Sequence, residues 1–272
     1  MRTRRFKLQD RPRKQSVVGV DISTTSYHEV VEFCRCWVDE RRSGRSGSRA
    51  RYICVTSVHG IITARDDPEV RGILNSADIA TPDGMPLVWA LRSFGIKEQQ
   101  RVYGPTLMLK LCESAAQRGD SIFLYGGLEQ TIDALCHRLC MSFPGLRIAG
   151  HYCPPFRPLT TEEDTAVVSQ IRASGADIVL VGISTPKQEH WMSAHRDALP
   201  GLIMIGVGAA FDFHAGRVRQ APGWMQRNGL EWLFRLTVEP ARLWRRYLLV
   251  TPRFLPLWAM QLIERQAGGA RA

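Results

Sequence analysis

Residues 178–199 read IVLVGISTPKQEHWMSAHRDAL, and this stretch decides the fold class. Ile178–Gly182 is an unbroken apolar run rich in β-branched residues, with no alternation of polar and apolar positions. Such a run reads as a strand covered on both faces. A small-residue break follows at Gly182–Pro186, and residues 187–199 then take a helical period. The same change from strand to helix recurs along the chain. Short apolar runs stand at Val17–Val20, Tyr52–Thr56, Ile122–Tyr125 and Leu202–Val207. Helix-period segments stand near 26–41, 68–76, 85–94, 105–118, 128–142 and 160–174. Buried strands alternating with helices predict an α/β fold, Rossmann-like, with a mostly parallel sheet flanked by helices. Thr160-Thr161-Glu162-Glu163 carries a capping pattern at one helix start, and Pro105 suits the first turn of another. Residues 42–51, rich in Arg, Ser and Gly, read as a flexible basic loop.

After about Gly216 the texture changes. Strands cease, and GWMQRNGLEWLFRL is followed by EPARLWRRYLLVTPRFLPLWAMQLI, which is helical, aromatic and rich in Arg. Four of the seven Trp fall here. Three regions result: a disordered basic arm over 1–16, an α/β core over 17–216 and a helical appendage over 217–272.

The chain has 272 residues, 44% hydrophobic and 23% charged, the composition of a globular protein with a substantial core. Its net charge of +10 is concentrated at the ends. Residues 1–14 carry seven basic side chains and one acid, and 217–272 carry ten Arg and three Glu, so the middle is mildly acidic. A basic surplus implies an anionic partner. Nucleic acid is not expected, because no helix-turn-helix, zinc-finger or RNA-binding aromatic signature accompanies the basic runs. Arg235, Arg242, Arg245 and Arg246 alternate with Leu233, Leu236, Leu243, Tyr247 and Val250, a pattern suited to a helix in a membrane interface or to one docked on the core. The seven Cys include no C-x-x-C pair and sit mostly in apolar runs, as buried reduced thiols do. The scattered His and Cys give no metal-ligand spacing, so no metal is expected. No signal-peptide core and no spanning run of about 18 apolar residues is recognised, so any membrane role is expected to be peripheral.

Candidate chemistry gathers at strand ends. Thr81-Pro82-Asp83-Gly84-Met85-Pro86 puts a carboxylate between a strand end and a helix start, where open α/β sheets bind ligands. Asp83 there can accept a proton from a substrate hydroxyl or cap the next helix. Tyr125-Gly126-Gly127 and Gly206-Val207-Gly208-Ala209-Ala210-Phe211-Asp212 are Gly-rich strand ends that fit either phosphate approach or a tight turn. Thr185-Pro186-Lys187-Gln188-Glu189 opens the helix after the deciding strand. No D-x-D, P-loop or G-x-S-x-G occurs, so a departing diphosphate would be offset by Arg, Lys and helix N-termini.

Six blocks carry a resemblance: TPDGMPLVWALRSFG (81–95), RVYGPTLMLKL (101–111), FLYGG (123–127), VGISTPKQEHW (181–191), IGVGAAFDFHAG (205–216) and APGWMQRNGLEWLFRLTVEPARLWRRYL (221–248). In this order, and collinear from about 17 to 257, they resemble the WecG/TagA/CpsF glycosyltransferases, glycosyltransferase family 26. The resemblance implies an inverting, metal-independent transferase without cofactor. Such an enzyme moves a sugar from a UDP-sugar to a polyprenyl-diphosphate-linked sugar at the cytoplasmic face of the membrane, in surface-polysaccharide or teichoic-acid assembly. It implies Asp83 as the base, with Arg101 of the R-V-x-G block and Thr56 completing the catalytic set. Donor contacts are expected from Ser57, Gly126, Gly127, Gln188, Glu189, Gly206, Gly208 and Asp212, and diphosphate contacts from Arg235, Arg242 and Arg245 of the membrane-associating appendage. One departure is plain. Many members carry T-x-N upstream of P-D-G, whereas this chain has Val55 and Ser57 at those places, with Thr56, Ser57 and His59 as the available substitutes. Expected partners are the UDP-sugar, the lipid-linked acceptor and an anionic membrane surface, with self-association through appendage helices also foreseen. From a different class, a catalytically degenerate nucleotide-binding α/β protein or scaffold would share the fold; UDP binding without turnover would identify it.

Overall fold

The computed structural model describes residues 12–45 and 47–269. A hairpin, β1 (Lys14–Val17) and β2 (Val20–Ser23), comes first, followed by helix α1 (Tyr27–Arg42) and strand β3 (Arg51–Thr56). Helices α2 (Val58–Asp66) and α3 (Pro68–Ser76) lead to β4 (Ile79–Pro82), then α4 (Met85–Ser93) and α5 (Gly104–Arg118). Next come β5 (Ser121–Gly126), α6 (Glu129–Ser142), β6 (Arg147–Tyr152), α7 (Thr161–Ala173), β7 (Ile178–Gly182), α8 (Lys187–Ala194) and β8 (Ile203–Gly206). Helices alone follow: α9 (Ala210–His214), α10 (Gly223–Arg227), α11 (Glu231–Val238), α12 (Pro240–Trp244), a π-helical turn Arg245–Val250, a short 3₁₀ turn Thr251–Arg253 and α13 (Phe254–Gly269).

The main sheet has six strands in the order β4-β3-β8-β7-β5-β6, and every neighbouring pair is parallel. The expected α/β architecture is present. Strand residues alternate between two apolar layers. Tyr52, Cys54, Val179, Val181 and Met204 enter one with residues of α2, α3, α4, α8 and the hairpin. Ile53, Val55, Ile178, Leu180 and Ile205 enter the other with residues of α1, α5, α6 and α9. Helix starts follow their sequence signals. Thr160 Oγ1 accepts the Glu163 N–H at 3.2 Å and Glu163 takes the Thr160 N–H at 2.9 Å, closing the expected capping box.

Several elements differ from the sequence expectation, and helix α2 (Val58–Asp66) was not among the expected segments. Val17–Val20 is not a strand of the main sheet. Val18 (φ 51°) and Gly19 (φ 84°) form the tight turn of the hairpin, where two left-handed residues match strand twist. Strand β4 ends in Pro82, which lacks an N–H and is tolerated because β4 lies at the edge of the sheet. Strand β6, the other edge, is mostly half-buried and so lacks a continuous apolar run.

Of the basic arm, residues 1–11 lie outside the described residues, while Lys14, Gln15 and Ser16 belong to β1. The appendage returns to the core. Phe254 is buried among α2 and α4 residues, and Gln261 of α13 takes the Val18 N–H at 2.9 Å and donates to the Ser16 carbonyl at 3.1 Å. Among the described residues, no helix is long and apolar enough to cross a membrane.

Candidate active site

Parallel register builds the site. Thr56 of β3 pairs with Pro82 of β4, so the next residues of each chain, Ser57 and Asp83, emerge side by side at the carboxyl edge. The Asp83 N–H donates to the Thr56 carbonyl at 2.9 Å, extending the ladder by one bond and fixing the aspartate backbone. On the other side of β3, Cys54 pairs with Gly206 of β8, which brings the loop 207–209 beside Ser57. The edge of four adjacent strands, β4, β3, β8 and β7, thus carries one site, as expected at the carboxyl ends of an open sheet.

Two cavities meet there. A small polar pocket of about 80 Å³ lies over the sheet edge, lined by Ser57, Asp83, Tyr103, Thr185, Gln188, Gly206 and Gly208 and roofed by Arg235, Arg242 and Arg246 of the appendage. A larger, mainly apolar cleft of about 510 Å³ opens beside it between α4 and the appendage, lined by Met85, Pro86, Trp89, Leu230, Trp232, Leu248, Phe254 and Leu255. Ser57, Asp83, Glu231, Arg235 and Arg246 line both.

Asp83 stands at the junction, its side chain 21% exposed. Its Oδ1 has no hydrogen-bond partner, although the Gly104 N–H reaches the carboxylate. Desolvation pushes its pKa up to about 6, against the pull of the Arg101 cation and with a further push from Glu231. Arg101 Nε donates to the Asp83 carbonyl, and its guanidinium lies over the Tyr103 ring at 4.1 Å. Arg101 Nη2 donates to Glu231 Oε2 at 2.7 Å but is 3.6 Å from Asp83 Oδ1. Arg246 Nη2 donates to Ser57 Oγ at 3.2 Å, while its Nε has no partner in the described structure. His59 lines the apolar cleft with Nδ1 unpartnered, and burial, helped by Arg246, lowers its pKa to about 4.

Gln188 holds the Gly-rich loop. Its Oε1 accepts the Gly208 N–H at 3.1 Å, and its Nε2 donates to Glu189 Oε1 at 3.0 Å. A Cβ at Gly206 would come within 2.8 Å of Gln188 Nε2, so only glycine lets the two approach. Glu189 lies behind this contact, held by Thr185 Oγ1 at 3.0 Å, and burial raises its pKa.

The expected residues thus divide. Asp83, Ser57, Arg101, Gln188, Gly206, Gly208, Arg235 and Arg242 line the two cavities. Thr56 contributes its carbonyl, since its hydroxyl donates to the Cys54 carbonyl inside the sheet at 3.3 Å. Gly126 and Gly127 lie outside both cavities because β7 separates β5 from β8. A Cβ at Gly126 would lie 2.5 Å from the Gly182 carbonyl oxygen, so that glycine serves close packing of β5 on β7. Asp212 lines neither cavity but lies in the field of Arg242 and Arg217, with burial raising its pKa. Arg245 is exposed, its guanidinium 5.3 Å from the Trp244 ring centre. Residues not singled out for the site also line it, among them Tyr103, Glu231 and Arg246. Arg246 had a sequence signal in its alternation with apolar residues, but the π-helical turn at Arg245–Val250 displaces the helical phase by which neighbours would be told apart. Among the described residues, no group of three or more His, Cys, Asp or Glu is arranged to hold a metal ion.

Comparison with known proteins supplies the relatives. Residues 15–268 match the glycosyl transferase WecG/TagA/CpsF family. An N-acetylglucosaminyldiphosphoundecaprenol N-acetyl-beta-D-mannosaminyltransferase of Bacillus spizizenii is 33% identical over 192 residues, covering 71% of this chain and 72% of the relative. The protein of the same description from Bacillus subtilis is 30% identical over 200 residues, 74% of each chain.

Proposed function

The chain belongs to the WecG/TagA/CpsF glycosyltransferase family, and from that premise we propose that it moves an N-acetylmannosaminyl-type sugar from a UDP-sugar to a polyprenyl-diphosphate-linked N-acetylglucosamine, at the inner face of the membrane, in cell-surface polysaccharide assembly. The observation that carries this reading is the position of Asp83. Its carboxylate, with Oδ1 buried and unpartnered, stands between a polar pocket roofed by arginines and an apolar cleft suited to a lipid-linked acceptor.

In the proposed reaction, the acceptor hydroxyl oxygen attacks the anomeric carbon while the Asp83 carboxylate takes its proton. The bond from that carbon to the diphosphate oxygen breaks, UDP leaves on the opposite face, and the configuration inverts. A carboxylate with a pKa raised to about 6 is a stronger base than an ordinary aspartate and still ionised at neutral pH. Arg235, Arg242 and Arg246 roof the polar pocket, so the charge growing on the diphosphate is offset by cations held in place before the reaction. On this reading the transfer needs neither metal nor cofactor. Gln188 and the 206–208 loop hold the donor, and Trp89, Trp232 and Leu255 meet the acceptor's apolar part.

The test is Asp83→Asn with a UDP-N-acetylmannosamine donor and a short-chain polyprenyl-diphosphate acceptor. Loss of transfer by roughly 100-fold or more is expected, the range typical of general-base catalysis. Transfer within tenfold of the parent, under conditions where chemistry limits, overturns the reading.

A further inference from the structure

Arg101 faces two carboxylates and is bonded to one of them. Its Nη2 is 2.7 Å from Glu231 Oε2 and 3.6 Å from Asp83 Oδ1, and Oδ1 has no hydrogen bond of its own. The guanidinium has little freedom to do otherwise. Its Nε is fixed on the Asp83 carbonyl and its plane lies 4.1 Å from the Tyr103 ring centre. Nη2 carries two N–H donors, and in the seat fixed by these two contacts it hydrogen-bonds Glu231 Oε2 and leaves Asp83 Oδ1 just beyond hydrogen-bond distance. The acceptor chosen here is the first residue of α11, in the appendage, 130 positions away from Arg101.

We propose that Glu231 is a positioning residue of the transfer site: it holds the Arg101 guanidinium off the Asp83 carboxylate and so leaves that carboxylate free of a direct hydrogen-bonded ion pair when it takes the acceptor's proton. Seating of the appendage on the core then completes the base as well as the roof of the pocket. With α11 displaced, Arg101 turns to Asp83, and a carboxylate tied in a direct ion pair is a weaker base. The inference rests on the reading of Asp83 as the base and adds what sets its strength.

The groups that face Asp83 are known from each element packed on it. Arg101, Tyr103 and the Gly104 N–H come from the segment leading into α5, Tyr27 from α1, Glu231 from α11 and Arg246 from the π-helical turn. Among these, Glu231 is the carboxylate, so its removal leaves the cations Arg101 and Arg246 unopposed at Asp83.

The experiment is the pH profile of kcat/KM for the full-length chain and for Glu231→Gln, which keeps the shape of the side chain and removes its charge. The acid limb, which reports the base in the free enzyme, is expected to move to lower pH, with the plateau falling roughly tenfold. Glu231→Met, of similar volume, is required to move the limb in the same direction, and Glu231→Asp to return it toward the parent. An unmoved limb in whichever charge-free variant folds overturns the proposal, whatever the loss of rate, because a merely structural role lowers the plateau without moving it. Asp83→Asn separates the two ideas. If it still transfers within tenfold of the parent, the base reading fails and this proposal with it; if it is inactive while the Glu231→Gln limb is unmoved, this proposal alone fails.

Discussion

Arg246 of the π-helical turn donates to Ser57 Oγ at 3.2 Å, joining the appendage to the strand-end loop beside Asp83 across 189 positions of sequence. Ser57 stands where the resemblance to the family led to the expectation of Asn. A hydroxyl can accept this bond and still donate onward, so the guanidinium is held without closing the pocket.

The first prediction follows from that bond. Arg246→Ala is expected to lower kcat/KM by roughly 100-fold or more, the loss typical of removing a charge-stabilising donor from a closed site. Arg245→Ala, at an exposed residue that lines neither cavity, is expected to change transfer to a short-chain, detergent-soluble acceptor by less than about threefold. Equal losses in the two variants would show that the adjacent arginines share the role.

Arg245 was expected from the family resemblance, and the alternation of basic and apolar residues did not separate it from Arg246. A wheel drawn at 3.6 residues per turn fails across a π-helical turn, and nothing in RRYLLV announces that turn. Glu231 was hidden for another reason. A glutamate in the first turn of a helix is ordinary dipole chemistry, and only the fold brings it to Arg101. Strands with two buried faces, β3, β5, β7 and β8, were legible because their runs are continuous. Edge strand β6 was not, being interrupted by Gly150, and β4 was legible only as the strand end before Asp83, since its four residues close on Pro82. Asp83 was legible from its position between strand and helix, while its capping alternative was not realised: α4 begins at Met85 with no side-chain cap.

Asp83 also links stability to pH. Its folded-state pKa of about 6 lies above the ordinary 3.8, so the fold holds this proton more tightly than the unfolded chain does. Its contribution favours the fold below pH 4 and is lost as pH rises toward and through 6. Asp83→Asn is therefore expected to be more stable than the parent at pH 8 by about 3 kcal/mol. The difference should vanish near pH 4. Urea midpoints at the two pH values check this, and a variant less stable at pH 8 would contradict it.

Gly126 offers a contrast with Gly206. Gly126→Ala forces a Cβ to 2.5 Å from the Gly182 carbonyl oxygen at φ 130°, with backbone on both sides of the clash. A loss of about 3 kcal/mol or more is expected, seen as a lower Tm or poor soluble yield. Gly206→Ala meets the amide end of Gln188 instead, which can swing aside. Its expected signature is a folded protein with a raised donor KM. A Gly126→Ala variant of parental stability whose only defect is in donor KM would reinstate that glycine as a donor contact.

The last prediction concerns the surface of the appendage. Leu249, Met260 and Ile263 are more than half exposed, close in sequence to Arg245, Arg253 and Arg265, and none of the three apolar residues lines either cavity. Exposed apolar side chains with arginines nearby in sequence suit an anionic bilayer, into which the apolar groups sink while the guanidinium groups stay at the headgroups. Leu249→Glu with Ile263→Glu is expected to abolish cosedimentation with phosphatidylglycerol vesicles and to slow transfer to a long-chain acceptor held in them. Transfer to a short-chain acceptor in solution should stay within about threefold of the parent, because the Asp83 junction is untouched. Binding by the parent chain should also weaken with added salt, since part of it is charge attraction screened over about 10 Å at 0.1 M. Undiminished vesicle binding by the double variant would mean that this face does not meet the membrane. Equal losses on both acceptors would mean that the substitutions had instead unseated the appendage from the core.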